Sequence, residues 1–243
     1  RYRHRTSGKD KKMKYEVTPV LCNEKNMANY AYIVHTPNRE TTIVVDAAEA
    51  NPTIAALERL KLHPSFILTT HHHFDHVEGN LKLKEKYGAR IVAPEKEFAK
   101  VPGADIPAAE NTPLLLNNMK FTVINAPGHT LGHVLYYLPD GKMLFTGDVL
   151  FNLCIGGLFE GTPQQMFATL QKIKALPDDT EIFPGHEYTR ACLSPRFKET
   201  PDFAAYLQKM VQREHGEKAP ATLAEEKKFN PYLQAATLAG FMG

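Results

Sequence analysis

The stretch TTHHHFDHVEGN, residues 69–80, places four histidines and an aspartate in six consecutive positions. Crowding histidines is unfavourable, because partial protonation near neutral pH makes neighbours repel and a buried ring needs partners for both nitrogens. Such a cluster points to coordination of a cation. The segment before it, Ser65 to Thr70, is apolar and β-branched and predicts a short buried strand entering the cluster. If the chain stays extended just past that strand, His71 and His73 face one side and His72 the other. Asp75 and His76 follow after a bend and approach the same space from another direction. Imidazole with carboxylate suits zinc, iron or manganese better than calcium or magnesium. A solvated polar loop or an affinity-tag fragment is the bland alternative, but a tag sits at a terminus and does not follow a core-type strand.

The rest of the chain bounds the answer. Its 243 residues, 43% hydrophobic and 23% charged, have ordinary globular composition and suffice for one large domain with a small appendix. A net charge of +2 without a basic stripe gives no sign of a nucleic-acid partner. No apolar run approaches the ~20 residues of a membrane span. Cys22, Cys154 and Cys192 are few, odd in number and widely spaced. They count against a disulfide framework and fit a reducing compartment, the cytoplasm first. Residues 1–12, RYRHRTSGKDKK, are basic and nearly free of apolar side chains, which predicts disorder and removes His4 as a ligand. Met13 fits an original start. The leader before it fits either an added segment or the end of a transit peptide, the latter implying a mitochondrial address.

Along the chain, strands alternate with helices. MKYEVTPV (13–20) and TTIVVDAA (41–48) read as strands, and Asn51-Pro52 predicts a helix start with Ile54, Leu57 and Leu60 inward. A second helix fits LKLKEKYG, closed by Gly88, and ARIVA follows as a strand. MKFTVINAP, HVLYYL and KMLFTGD are three more strands, the last two joined by a Pro139-Asp-Gly-Lys142 turn. Thr162-Pro-Gln-Gln165 is a capping box opening a helix with Met166, Leu170 and Ile173 inward. EIFPGHEYT (181–189) is a short strand running into polar residues. After Pro195 a helix carries Phe203, Tyr206, Leu207, Met210 and Val211 on one face, and Thr222-x-x-Glu225 caps a last helix. Ligand-type residues thus follow strands at four places: HHHFDH, Pro127-Gly-His129, Thr146-Gly-Asp148 and Pro184-Gly-His186. One histidine after a strand is usually structural. Four such strand ends are harder to dismiss, because layered α/β folds gather ligands at the carboxyl ends of strands.

In these motifs, THHHFDH, PGHT, TGD and PGHEYT in order, the chain resembles the metallo-β-lactamase superfamily. GDVLF, FEGTPQQM, FPGHEYT and TLAEEKKFNPYL are similar to its glyoxalase II branch, the hydroxyacylglutathione hydrolases, from about Met13 to Leu233. The resemblance implies an α/β fold, a four-layer αββα sandwich over 13–193 with the metals at one edge, followed by a small helical region over 194–243. It implies two divalent metals, zinc foremost with iron or manganese as alternatives. His71, His73 and His129 would hold the first, Asp75, His76 and His186 the second, and Asp148 would bridge. His72 and His133 are then structural. Asp46 is a candidate to orient a ligand histidine, an ordinary turn aspartate being the alternative. His35, His63 and His215 take the surface reading.

The implied activity is hydrolysis of a small-molecule thioester, S-2-hydroxyacyl (D-lactoyl) glutathione or a related carrier, by a hydroxide shared between the metals, in an enzyme of methylglyoxal detoxification. No membrane partner is implied, and a monomer is the default. Tyr188 would meet the carrier. The carrier site departs from the branch: a lysine and a tyrosine before FEGT are Gly157 and Phe159 here, Ile155 replaces a common cysteine, and the sequence stops at AGFMG before a basic tail segment. Ile155, Gly157 and Phe159 are then expected to present an apolar surface, favouring a carrier whose glycine carboxylate is capped. The alternatives are a mononuclear-iron sulfur dioxygenase, a lactonase, or an idle binding protein. Seven intact ligand positions count against the last.

Overall fold

The computed structural model describes residues 15–193, 197, 200–213 and 220–242. The leader with His4 and Met13, and also Pro195, His215 and the side chain of Val211, lie outside the described residues. The first sheet runs β1 (Glu16–Cys22), β2 (Asn29–His35), β3 (Thr42–Val45), β4 (Phe66–Leu68), β5 (Arg90–Pro94) and β6 (Ala104–Ala108), in that spatial order. It is antiparallel through β3 and parallel from β3 to β6. Helices α1 (Ala50–Leu60), the single-turn α2 (Phe74–Val77) and α3 (Asn80–Tyr87) fall between its strands.

The second sheet uses β7 (Leu114–Leu116), β8 (Met119–Asn125), β9 (Val134–Leu138), β10 (Met143–Gly147), β11 (Glu181–Pro184) and β12 (Ala221–Thr222), neighbours in space in that order. All its pairs are antiparallel except β10 with β11. Its helices are α4 (Pro163–Lys174), α5 (Pro201–Arg213), α6 (Leu223–Phe229), α7 (Pro231–Gln234) and α8 (Leu238–Met242).

Side-chain alternation sorts these elements into four layers. Ile43, Val45, Phe66 and Leu68 face the second sheet and meet Phe121, Val123, Tyr136 and Phe145. Their neighbours Val44, Ile67 and Ile91 face outward under Ala56 and Leu57 of α1 and Leu83 of α3. On the second sheet, Leu135, Leu144 and Ile182 face outward under Met166, Leu170 and Ile173 of α4, with Leu223, Leu233 and Phe241 from the carboxyl-terminal helices. Strands apolar on both faces read as continuous apolar runs, which is why the middle of each sheet was legible.

Local signals were mostly realised. Thr162 and Gln165 close both bonds of the capping box, and Gly88 ends α3 in the left-handed region at φ +67°. Helix α1 starts at Ala50 after an N-cap Glu49 that makes no side-chain cap bond, so Asn51-Pro52 lies within its first turn. Thr222 and Glu225 form their capping box, but the helix they open is not the last, since Asn230 caps α7 and α8 follows. The cysteine reading is corrected: Cys154 and Cys192 are paired across 38 residues, with Cα atoms 5.8 Å apart. The fold brings together the loops after β10 and β11, a proximity that spacing conceals. The inference of a reducing compartment loses its support. No described helix is long and apolar enough to cross a membrane.

Candidate metal centre

All four strand ends open on one edge of the sandwich. Residues 69–73 leave β4, His129 follows β8, Asp148 follows β10 and His186 follows β11. Two glycines permit the approach. Gly147 lies at φ +47°, and a Cβ there would fall 2.4 Å from Thr70 Oγ1; a Cβ on Gly185 would fall 2.3 Å from Asp148 Oδ1.

The structure brings all seven sequence-predicted residues together. Donor atoms of His71, His73 and His129 lie within 4.8 Å of one another, as do those of His71, His76 and Asp148, and those of Asp75, His76 and His186. His129 Nε2 is 2.9 Å from His73 Nδ1, and His76 Nε2 is 3.3 Å from both His186 Nε2 and Asp148 Oδ1. Asp75 Oδ2 stands 3.6 Å from His76 Nε2 and 3.5 Å from His186 Nε2. Ligand atoms around a tetrahedral ion with bonds of 2.0–2.1 Å are about 3.3 Å apart, so this is coordination spacing.

The outer ring nitrogens settle which lone pairs face inward. His129 Nδ1 donates to Gly157 O and His186 Nδ1 to Met27 O, each at 2.7 Å, and a carbonyl can only accept. His76 Nδ1 donates to Asp46 Oδ2 at 3.0 Å. The Thr70 hydroxyl donates to the same oxygen at 2.8 Å, which leaves its oxygen to accept from His71 Nδ1 at 3.1 Å. The His71, His129 and His186 rings therefore turn bare Nε2 atoms to the centre, while His76 turns Nε2 and His73 Nδ1 toward it. Nitrogen lone pairs this close repel without a proton or a cation between them. Within the same space, buried His71 Nε2 and Asp148 Oδ1 have no hydrogen-bond partner. The donor set fits a metal.

Electrostatics agree. Burial, then His76 and His133, hold His71 well below the usual histidine range. Burial first also lowers His73 and His129, so this triad is neutral and ready to ligate. For His76, burial works against the charged form, but Asp148 and Asp46 outweigh it and raise its pKa well above the ordinary value. Burial pushes Asp148 up, yet His76 and His186 prevail and hold it well below the carboxylate range.

The other sequence candidates divide. Asp46 is the orienter of His76. His133 accepts the Asp148 backbone N–H at 3.1 Å and stacks on His71, a structural role as expected. His72 turns away from the cluster, its Nδ1 2.9 Å from Glu97 Oε2. Tyr188 stacks on His186 with ring centroids 4.6 Å apart. Together with Gly157 and Phe159 it lines a cleft of about 550 Å³ over the cluster. Ile155 does not line that cleft; it packs against the core beneath α4, because it bridges back to Leu150. The surface reading holds for His63 and fails for His35, which is buried, donates from Nδ1 to Thr36 O at 2.8 Å and lies 3.6 Å from Glu16. Sequence reasoning missed Met27, Phe74 and Phe151 of the cleft wall, and Thr70 and Glu97 behind the ligands. Of these, Thr70 and Phe74 lie inside THHHFDH and Phe151 closes GDVLF, while Met27 and Glu97 carried no positional signal.

The metallo-beta-lactamase superfamily matches residues 26–111 and 115–186. The hydroxyacylglutathione hydrolase of Brucella ovis is 44% identical over 226 residues, 90% of this chain and 86% of that protein. Among solved structures, the BLEG-1 B3 metallo-beta-lactamase superposes with a TM-score of 0.70 at 23% identity, covering 91% of this chain and all of that one. TTHA1623 in a di-iron-bound form gives a TM-score of 0.63 at 26% identity, covering 88% and 99%. The chain belongs to the metallo-beta-lactamase superfamily and, within it, to the hydroxyacylglutathione hydrolase family. Family membership and donor geometry together make the cluster a divalent-metal site.

Proposed function

We propose that this chain is a binuclear metal-dependent thioester hydrolase that cleaves S-2-hydroxyacyl glutathione, D-lactoyl glutathione foremost, or a closely related thioester. One observation carries the reading: the Asp148 carboxylate stands between two ligand triads. Its Oδ2 is 3.4 Å from His129 Nε2 and 3.1 Å from His186 Nε2, and its Oδ1 is 3.3 Å from His76 Nε2. His71, His73 and His129 would hold one ion, Asp75, His76 and His186 the other, and Asp148 would touch both. Five imidazoles with two carboxylates suit zinc, then iron or manganese. When bound, the ions supply Lewis acidity toward the thioester carbonyl and bring the pKa of a water to about 7. The chain itself fixes the imidazole tautomers through Asp46, Thr70, Gly157 and Met27, and Asn29 holds Asp75 Oδ2 at 2.9 Å.

Gly157, Phe159 and Tyr188 form the carrier side of the cleft, with Phe159 edge-on to His129 at 5.1 Å. The cleft lining includes Asp75, Asp148 and Glu160 but no lysine or arginine among the described residues. A carrier with a free terminal carboxylate meets no cationic side chain on the described part of that lining. The test is a thioester panel assayed on protein of measured metal content. Two metals per chain with thioester turnover are expected. One iron per chain without thioester turnover would replace the reading with a mononuclear dioxygenase, and a metal-free inert protein would end it.

A further inference from the structure

The proposed ligands of the first metal sit on two loops that belong to different sheets. His71 and His73 follow β4, and His129 follows β8. Near their bases the loops are fastened by Val134 N–H on Thr70 O at 3.0 Å and by the Tyr136 hydroxyl on Thr69 O at 2.9 Å. Beyond those points, one side chain reaches both. Glu97 lies on a 3₁₀ turn, Glu95–Lys100, after β5, and is only 2% exposed although its segment, EKEFAK, reads as surface. Its Oε2 accepts the His72 backbone N–H at 2.8 Å. Its Oε1 accepts the Thr130 hydroxyl at 2.5 Å and the Gly132 N–H at 3.0 Å. The approach is close: a Cβ on Gly132 would fall 2.4 Å from Glu97 Cγ.

A buried carboxylate is retained only where donors surround it, and each of these donors would be stranded by an apolar residue at 97. The second triad depends on other groups. Asp46 orients His76, Asn29 holds Asp75, and Met27 O receives His186 Nδ1.

We infer that Glu97 is the positioning residue of the first metal site, a bidentate strap that sets the separation of His73 and His129 by holding the backbone beside each. The inference rests on the two-metal reading above. It predicts a selective defect. Glutamine at 97 keeps the shape, but one amide oxygen can serve only one loop, and the amide nitrogen turns a donor toward the fixed backbone N–H of the other, that of His72 or Gly132.

The experiment compares the holo parent with Glu97→Gln by metal content, by zinc-chelator competition and by the visible spectrum of cobalt(II)-loaded protein. Affinity for one of two metals is expected to fall about tenfold or more, the scale for losing an outer-shell partner, with the other unchanged and the melting transition still cooperative. A purely structural role would lower the melting temperature and leave the ratio of the two affinities as it was. If the parent holds two metals and the variant binds both within twofold of it, or loses both equally, the inference fails alone. A parent binding fewer than two metals would sink it together with the functional reading. Should Glu97→Gln not fold, Thr130→Val removes one donor and keeps the carboxylate. A roughly threefold loss at the same single site is then expected, and parity with the parent overturns the proposal.

Discussion

Replacing Asp46 with asparagine isolates how much of the metal affinity comes from residues that never touch metal. Asp46 ends the first parallel strand at φ +52°, in the left-handed region, which asparagine tolerates as aspartate does. The backbone should therefore stay in place. Oδ1 accepts the Thr70 N–H at 2.8 Å, while Oδ2 accepts both the Thr70 hydroxyl at 2.8 Å and His76 Nδ1 at 3.0 Å. An amide that keeps the first bond points its NH₂ at the other two donors. Relief that keeps the Thr70 N–H bond requires His76 to move its proton to Nε2, where a metal would bind, or the Thr70 hydroxyl to turn and release His71 Nδ1. Either route disables a proposed ligand. Losing such a partner typically lowers metal affinity 10–100-fold, about 1.4 to 2.7 kcal/mol. Zinc competition with a calibrated chelator at neutral pH measures this directly, and thioester turnover at limiting metal should fall in parallel. Affinity within twofold of the parent would refute the claim that Asp46 sets the His76 tautomer.

Other outcomes follow from the same geometry. His73→Ala should lose metal, whereas His72→Ala should keep it, because His72 faces Glu97 rather than the cluster; equal metal loss in the two proteins would overturn that assignment. Acidification should strip the sites in order. The pKa of His76 is raised by Asp148 and Asp46 against its burial, so metal must displace a proton there and binding weakens as pH falls, while His71, held low by burial, meets little proton competition. Lowering the pH through about 6 should release one metal before the other, and full occupancy near pH 4.5 would contradict a histidine-rich site. Gly157→Lys should lower KM for a carboxylate-bearing glutathione thioester by about tenfold at nearly constant kcat, since one charge-assisted bond contributes ~1.5–3 kcal/mol in ground and transition states alike. The site has room, a Cβ there meeting Phe159 only at 3.4 Å; an unchanged KM would show that the missing cation does not limit carrier binding.

What the sequence disclosed tracks where the information is chemical rather than geometric. The central strands announced themselves as apolar runs, and the capping boxes at Thr162 and Thr222 as fixed spacings. The first sheet's second strand, Asn29–His35, went unread although all seven residues are buried, because tyrosines, an asparagine and a histidine interrupt the apolar pattern. The edge strands Leu114–Leu116 and Ala221–Thr222 are too short to show a period. Within the site, histidine and aspartate advertise coordination by residue type. Glu97 and Thr70 do not, since a glutamate in a charged segment and a threonine in a strand are commonplace until the fold buries them. Ile155 failed for the opposite reason: its position beside Gly157 suggested exposure, and a bridge to Leu150 turned it inward.

Neither sheet holds a complete site. His71, His73, Asp75 and His76 come from the first, and His129, Asp148 and His186 from the second. Each proposed triad takes ligands from both, so no metal finds its full coordination until the sheets have packed face to face. The contacts that enforce this packing are polar as well as apolar. Tyr32 donates to Pro184 O at 2.6 Å, and Tyr30 N–H donates to Gly185 O at 2.8 Å, in each case beside His186. The ligand geometry is therefore set by the register of one sheet on the other, and a cation bound there ties the sheets together in turn, since anything that binds only the folded state stabilises it. This division of ligands explains why a supporting group such as Glu97 must reach from one sheet's loop to the other's. Strand pairing fixes distances within a sheet, and it leaves the spacing between sheets to side chains.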